Sequence, residues 1–276
     1  MTTPSYEFPS LPQWFTTGRE VLSGMRPFGS SAEDLSVVFQ LARRPQIITR
    51  LLSLCCDASD GPVDEHLWLD MPIGMRIKAL LSLAALNDAG PFVWRTRCES
   101  ASCAEGDGNE FELAIDQILS VAGDECELET RSISIAGIQT LVRRPTGLDQ
   151  THWLKQPEVG AEPMLRAILV QPTLNELLGA GLTVDTIAAA IDEAMDSFDP
   201  ILCFRVNVVC PRCGTAKDVW PDLAGAALER LAGAQRKAIE SVHRLALRYH
   251  WTEGEILGLP EWRRRMYLDL LESEGL

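Results

Sequence analysis

Two short cysteine pairs constrain this chain more than any other feature. Cys210-Pro-Arg-Cys213-Gly places two thiols three positions apart ahead of a glycine. Two intervening residues let both sulfurs reach one ion, and the glycine permits the turn that aims backbone N–H groups at sulfur. One such pair fills half a tetrahedron. Cys98 and Cys103, separated by four residues, supply the other half within the spacing that such sites use. Each pair follows a stretch of strand composition and precedes another, so two hairpins are predicted to present Cys98, Cys103, Cys210 and Cys213 to one structural Zn²⁺. The pairs stand more than 100 positions apart, so the hairpin and helices between them are expected to be an insertion carried by a zinc-ribbon-like unit.

Unmetallated thiols in a reduced compartment are the plain alternative. A redox role for Cys210–Cys213 is a weaker one, because no thioredoxin-like βαβ setting surrounds it. A four-thiolate site is saturated and has no open position to activate water, so it argues for structure rather than catalysis. Cys55, Cys56, Cys126 and Cys203 have no second pair of that kind and read as small buried hydrophobes.

The 276 residues allow one large domain or two modest ones, and 46% apolar with 23% charged residues is ordinary globular usage. A formal charge of −14 disfavours broad binding to phosphate backbones or anionic membranes. No apolar run is long enough for a transmembrane helix, and the N-terminus lacks a signal-peptide pattern, so a cytoplasmic protein is expected.

Along the chain, residues 1–30 carry four prolines and no periodic pattern, and read as an irregular arm. Residues 31–90 read as helical, with Ser31 an N-cap, Pro45 opening a second helix and Pro72 a third. Residues 91–222 hold the cysteine hairpins, with strands at Phe92–Cys98, Phe111–Ile115, Cys203–Cys210 and Lys217–Trp220. Inserted among them are a hairpin turning at Ala136-Gly137, helices resuming at Thr146, and a helix running from N-cap Thr183 to Asp199-Pro200. Residues 223–276 read as C-terminal helices, with Thr252 and Glu255 forming a capping box and Pro260 opening the last helix. The class is α+β, predominantly helical.

No GxGxxG, Walker A, GxSxG or HExxH pattern occurs, and no histidine stands in a His-x-Glu, so the chain reads as non-enzymatic. His243 and His250 share a helical face and read as packing or capping residues. Residues 99–130 contain ten acids and no Lys or Arg. That stretch reads mainly as a solvated surface, with docking of a basic partner as the alternative. Trp262, Arg263, Arg264 and Arg265 occupy more than one helical turn, so part of this group must face outward, where Trp and Arg often anchor contacts. Their alternative role is pairing with Glu261, Asp269 and Glu272 along the helix.

Several segments together resemble a known family. WLDMPIGMRIKALL (68–81), a strand with a cysteine pair and FELAI, the segment LVRRPTGLDQ (141–150), the knuckle CPRCG (210–214) and the tail HRLALRYHWTEGEILGLPEWRRRMYLDLL (243–271) resemble baseplate proteins of contractile phage tails and related injection systems. That family includes the T4-type baseplate hub assembly chaperone. The resemblance spans about residues 67–271, and its first cysteine pair is wider here than the family's CxxC. It implies a non-enzymatic assembly factor or component of a baseplate hub, with hub or spike proteins as partners and a possible place in the assembled tail particle. A zinc-ribbon adaptor for nucleic acid or protein, unrelated to tails, is the competing class. A hydrolase with an unrecognised site is a third.

Overall fold

The computed structural model describes residues 22–40, 43–58, 61–100, 103, 108–121, 128–155 and 160–273. Trp14, Cys126 and the first 21 positions of the expected arm lie outside the described residues.

The fold is mixed helix and sheet, helix predominating, around two main apolar cores. The first is helical. It gathers α1 (Ala32–Leu35), α2 (Arg44–Cys55), α3 (Glu65–Asp70), α4 (Ile73–Asn87) and, from much later in the chain, α10 (Leu223–Tyr249). Ala79 to Ala84 of α4 are buried without a break, more than one full turn, so this helix is covered on every side. Leu51 and Leu52 of α2, Trp68 of α3, and Ala227, Leu228 and Leu231 of α10 belong to the same core. At 27 residues, α10 is a spine of about 40 Å.

Part of the expected irregular arm is ordered. Leu22–Met25 forms β1, which pairs antiparallel with β2 (Cys56–Ala58), and β2 pairs in turn with β3 (Gly61–Pro62). Beside this small sheet, Arg26 grips the fully buried Asp34 through two bonds of 2.7 and 2.8 Å. Asp34 also accepts the backbone N–H groups of Gly29, Ser30 and Ser31. Burial alone raises the Asp34 pKa, but Arg26 and these N–H donors outweigh it and hold the group below the usual carboxylate value.

The second core lies between the cysteine pairs in sequence. β6 (Thr130–Ile135) and β7 (Ile138–Arg143) form the predicted hairpin, and β8 (Leu169–Gln171) adds to the β7 edge. The turn has Ala136 at φ 50° and Gly137 at φ 88°. Both values suit the twist of a two-residue hairpin, and alanine takes the place that asparagine usually fills. Around the sheet run α6 (Gly147–Trp153), α7 (Ala161–Ile168), α8 (Leu174–Gly179) and α9 (Val184–Phe198). Ile187, Ile191, Met195 and Phe198 recur at helical spacing and pack with Ile135, Val142, Leu165 and Leu169.

Backbone contacts lock the two cores together at one junction. Ile73 N–H donates to the Pro145 carbonyl at 2.9 Å, and Gly147 N–H donates to the Met71 carbonyl at 3.1 Å. The Asp199 carboxyl, at the end of α9, accepts the N–H of Gly74 in the first turn of α4, and burial holds its pKa above the ordinary carboxylate value despite that bond. No room remains there. A Cβ on Gly74 would lie 1.9 Å from Asp199, and one on Gly147 would lie 1.6 Å from Arg76. Within LVRRPTGLDQ, Thr146 caps α6, and Asp149 returns bonds to the Thr146 N–H and, bidentately, to Arg143.

A third, smaller core closes the C-terminus. Leu245 of α10, Ile256 of α11 (Glu253–Leu257) and Leu271 of α12 (Glu261–Ser273) are buried beneath a triad of Tyr249, Trp251 and Tyr267 rings. His250 ends α10 in the left-handed region, φ 57°. No helix among the described residues is long and apolar enough to cross a membrane.

Two tests follow from these contacts. Gly74→Ala and Gly147→Ala should each destabilise the protein by at least the ~1–3 kcal/mol typical of an overpacked site, measured by denaturant midpoint. Gly160→Ala, which meets nothing within 4 Å, should stay close to wild type. Asp34→Asn should cost about 3 kcal/mol, the low end for breaking a buried pair, because the Arg26 side chain is 32% exposed. The folded-state pKa of Asp34 is lowered, so its stabilisation is complete above the ordinary carboxylate value and is lost as pH falls through the lower one. The wild-type advantage over Asp34→Asn should therefore hold steady from about pH 5 to 8 and shrink only below about pH 4.

Candidate metal centre

Cys98 lies just beyond β4 (Phe92–Arg97), which pairs in full register with β5 (Gly108–Leu113). The expected strand at Phe111–Ile115 is displaced toward the N-terminus, because Ala114 begins a new helix, α5 (Ile115–Leu119). The root of this hairpin is fixed to the first core. Phe92 is buried, and the Arg230 guanidinium from α10 stacks on its ring at 3.9 Å. Arg230 also donates to the carbonyls of Asp88, Gly90 and Pro91.

Cys210 follows β9 (Val206–Val209), whose partner is β10 (Ala216–Val219). β9 starts later than the predicted strand from Cys203. Leu202 and Cys203 turn back to donate their N–H groups to the Asp199 carbonyl, which holds the chain out of extended form. In the knuckle itself, Gly214 takes φ 72° and donates to the Cys210 carbonyl at 2.9 Å. The Cys210 N–H closes the turn onto the Thr215 carbonyl at 2.9 Å.

These two hairpins bring all four predicted ligands together. Cys98 and Cys213 sulfurs are 3.6 Å apart, as are those of Cys103 and Cys210, and all four lie within 4.8 Å of one another. A tetrahedral metal with bonds near 2.3 Å spaces its sulfurs by about 3.8 Å. All four cysteines are free thiols. The geometry is that of a site able to hold one metal ion.

The electrostatics divide the four thiols. The Thr215 hydroxyl and its N–H bring Cys213 down to about 6, and the N–H groups of Cys213 and Arg212 lower Cys210. Crowding by Cys213 and Cys210 pushes Cys103 up to about 12, and Cys98 is raised by burial and the same neighbours despite the Ser100 N–H. The knuckle pair is thus shifted toward thiolate and the wider pair away from it, so a cation held by all four would displace protons most of all from Cys98 and Cys103. Lys217 bonds Glu99 across the two hairpins. With four sulfurs in place a bound metal would have no open position, a coordination suited to tying strands together rather than to activating water.

Among the described residues, Cys55, Cys56 and Cys203 are not part of this centre. Cys55 and Cys56 are buried in the first core, where burial pushes the Cys55 thiol up to about 12. Cys203 is half-buried against the second core, and burial raises it to about 11.

The second set of predicted site residues lies elsewhere, on α12. Trp262 is 62% exposed, and Met266 and Leu270, one and two turns on, are 56% and 52% exposed. Arg263 lies against the Tyr267 ring and donates to its hydroxyl at 3.1 Å. Glu272, expected as a partner for these arginines, pairs with Arg244 of α10 instead. Among the described residues, Arg263, Arg264 and Arg265 form no ion pair. Met266 and Leu270 stand four and eight positions after Trp262, a helical spacing that is the sequence signal for this stripe.

No protein-family model, curated protein or solved structure matches this chain.

Thiol chemistry checks the centre directly. Metal-loaded native protein should shield Cys98, Cys103, Cys210 and Cys213 from a thiol reagent, and a strong chelator should expose about four more reactive thiols without denaturant. Cys213→Ser should forfeit much of a domain's ordinary ~5–15 kcal/mol of stability. Unchanged thiol reactivity after chelation would show that no metal is held there.

Proposed function

We propose that this chain is a non-enzymatic assembly factor or component of the baseplate hub of a contractile tail or related injection system, held in shape by a structural zinc. The observation that carries the reading is the closed four-thiolate centre that clamps two distant hairpins. Such a centre supplies architecture rather than turnover, and tetrahedral all-sulfur coordination suits Zn²⁺. The resemblance of residues 67–271 to baseplate proteins gives that architecture a context. The resembling segments occupy structural positions: LVRRPTGLDQ forms the junction between cores, CPRCG forms the knuckle, and the tail builds the third core.

A protein that works by contact needs an uncovered contact surface. The Trp262, Met266 and Leu270 stripe, flanked by Arg263, Arg264 and Arg265, has that character. Hub or spike proteins are the proposed partners, meeting this basic and aromatic face with acidic and apolar groups. Residues 99–130, which follow Cys98, hold ten acids and no Lys or Arg, which speaks against a nucleic-acid adaptor reading a phosphate backbone there.

The test is a variant with Arg263, Arg264 and Arg265 all changed to Ala, expressed with its neighbouring tail genes. Exposed charges contribute only about 0–1 kcal/mol each to folding, so the variant should fold and hold about one zinc by elemental analysis. It should fail to co-purify with its partner or to support tail assembly. Full assembly by this variant removes α12 as the contact surface, and protein that carries no zinc removes the structural-zinc reading.

A further inference from the structure

The two cysteine hairpins leave a cleft between them that is bounded by main chain. β4–β5 and β9–β10 are separate two-stranded sheets, so each strand is paired on one side only. The cleft has a volume of about 470 Å³ and is lined by Asn109, Glu110 and Phe111 of β5 and by Asn207, Val208 and Val209 of β9. Side chains alternate across a strand, so a cleft over a sheet face would take every second residue. Here three consecutive residues of each strand line it, and none of β4 or β10 does. The cleft therefore runs along the edges of β5 and β9 that face away from their hairpin partners. In an antiparallel pair, alternate residues aim both N–H and C=O away from the partner strand. Among the described residues, no backbone hydrogen bond joins β5 to β9. Free edges of this kind are templates for one more strand.

The side chains along these edges select what such a strand carries. Glu110 is already answered by Arg95 across the hairpin at 2.8 Å, so it selects nothing. Glu112 is on the same face of β5 and exposed. It has Val93 rather than a cation opposite it on β4, and it forms no ion pair among the described residues. Opposite charges facing each other across strands attract, so a guest strand beside β5 gains from a Lys or Arg at the Glu112 position. On the other edge Val209 is 57% exposed, and a β-branched or aromatic neighbour packs well against such a residue.

We infer that the cleft between β5 and β9 receives an extended segment of a partner protein, in which a Lys or Arg alternates with β-branched or aromatic residues, and that its backbone joins the two hairpins into one five-stranded sheet. This binding mode uses the strand edges alone, so it stands or falls separately from the tail reading and from the α12 surface.

Full-length protein is panned against a displayed library of random 12-residue peptides, and selected peptides are synthesised for titration. The expected consensus is a basic residue alternating with β-branched or aromatic ones. Binding should slow amide hydrogen exchange in both Gly108–Leu113 and Val206–Val209, whose outward N–H groups become paired. A strand with neighbours on both sides uses every N–H, alternately to left and right. N-methylating the peptide one amide at a time should therefore weaken binding about tenfold at each of about four consecutive positions. Glu112→Lys alters an exposed position, should leave folding intact, and should weaken binding about fivefold. The inference is overturned by a library that returns no binder, or by binders that leave exchange in either strand unchanged. It is equally overturned by binders indifferent to Glu112→Lys, or by a methylation pattern that repeats every second residue, which marks a strand added to one hairpin only. A dimer of this chain whose formation slows exchange in the same two strands names a second copy as the occupant and also overturns it.

Discussion

Four sulfurs within 4.8 Å of one another, drawn from positions 98, 103, 210 and 213, set the topology of this protein. Closing so long a loop costs conformational entropy that grows only slowly with its length. The more specific cost is electrostatic. The Thr215 hydroxyl and the N–H donors of the knuckle shift Cys213 and Cys210 toward thiolate, while those two neighbours hold Cys98 and Cys103 up across 3.6 Å gaps. A divalent ion bound by all four as thiolates would remove the conflict. The clamp also has firm ground on each side: Arg230 and Phe92 anchor one hairpin root, while Asp199 ends the helix that leads to the other.

The long insertion between the pairs is thus not a loose passenger. It has its own core, and it is tied to the helical core where Pro72–Arg76 meets Arg144–Gly147 and Asp199. This junction is built from buried polar groups in close approach to two glycines. Arg144 donates to the Phe198 carbonyl through Nε at 2.9 Å and through a second nitrogen at 2.8 Å, with its guanidinium over the Phe198 ring. Directional bonds of this kind specify one arrangement of the two cores, where apolar packing alone would tolerate sliding.

Local chemistry made part of this legible in the sequence. The cysteine spacing, the caps at Ser31, Thr183 and Thr252, the helix start at Thr146, and the alternation about Ala136-Gly137 are read within a few residues, and each is realised near its expected place. What was missed depended on partners distant in sequence. Leu22–Met25 looks irregular because the strand it pairs with begins only at Cys56. The six-residue α3 has too few turns to show a period, and rests on the Asp64 cap and the burial of Trp68. Nothing near Gly74, Arg76 or Asp199 announces that the three meet in a junction. The stripe of Met266 and Leu270 has the same period as a core face, and only the placement of α12 on the rim of the third core leaves it uncovered.

That distinction between satisfied and unsatisfied groups separates scaffold from working surface. Asp34, Asp149 and Arg144 have their charges or donors answered within the chain, so their burial stabilises one shape. Trp262, Met266 and Leu270 instead have solvent where a core residue would have neighbours. Features that are costly in isolation sit on a framework whose metal centre is suited to rigidity and lacks an open coordination site. The proposed assembly role rests on those uncovered side chains, with the four-cysteine centre as the support that fixes their placement.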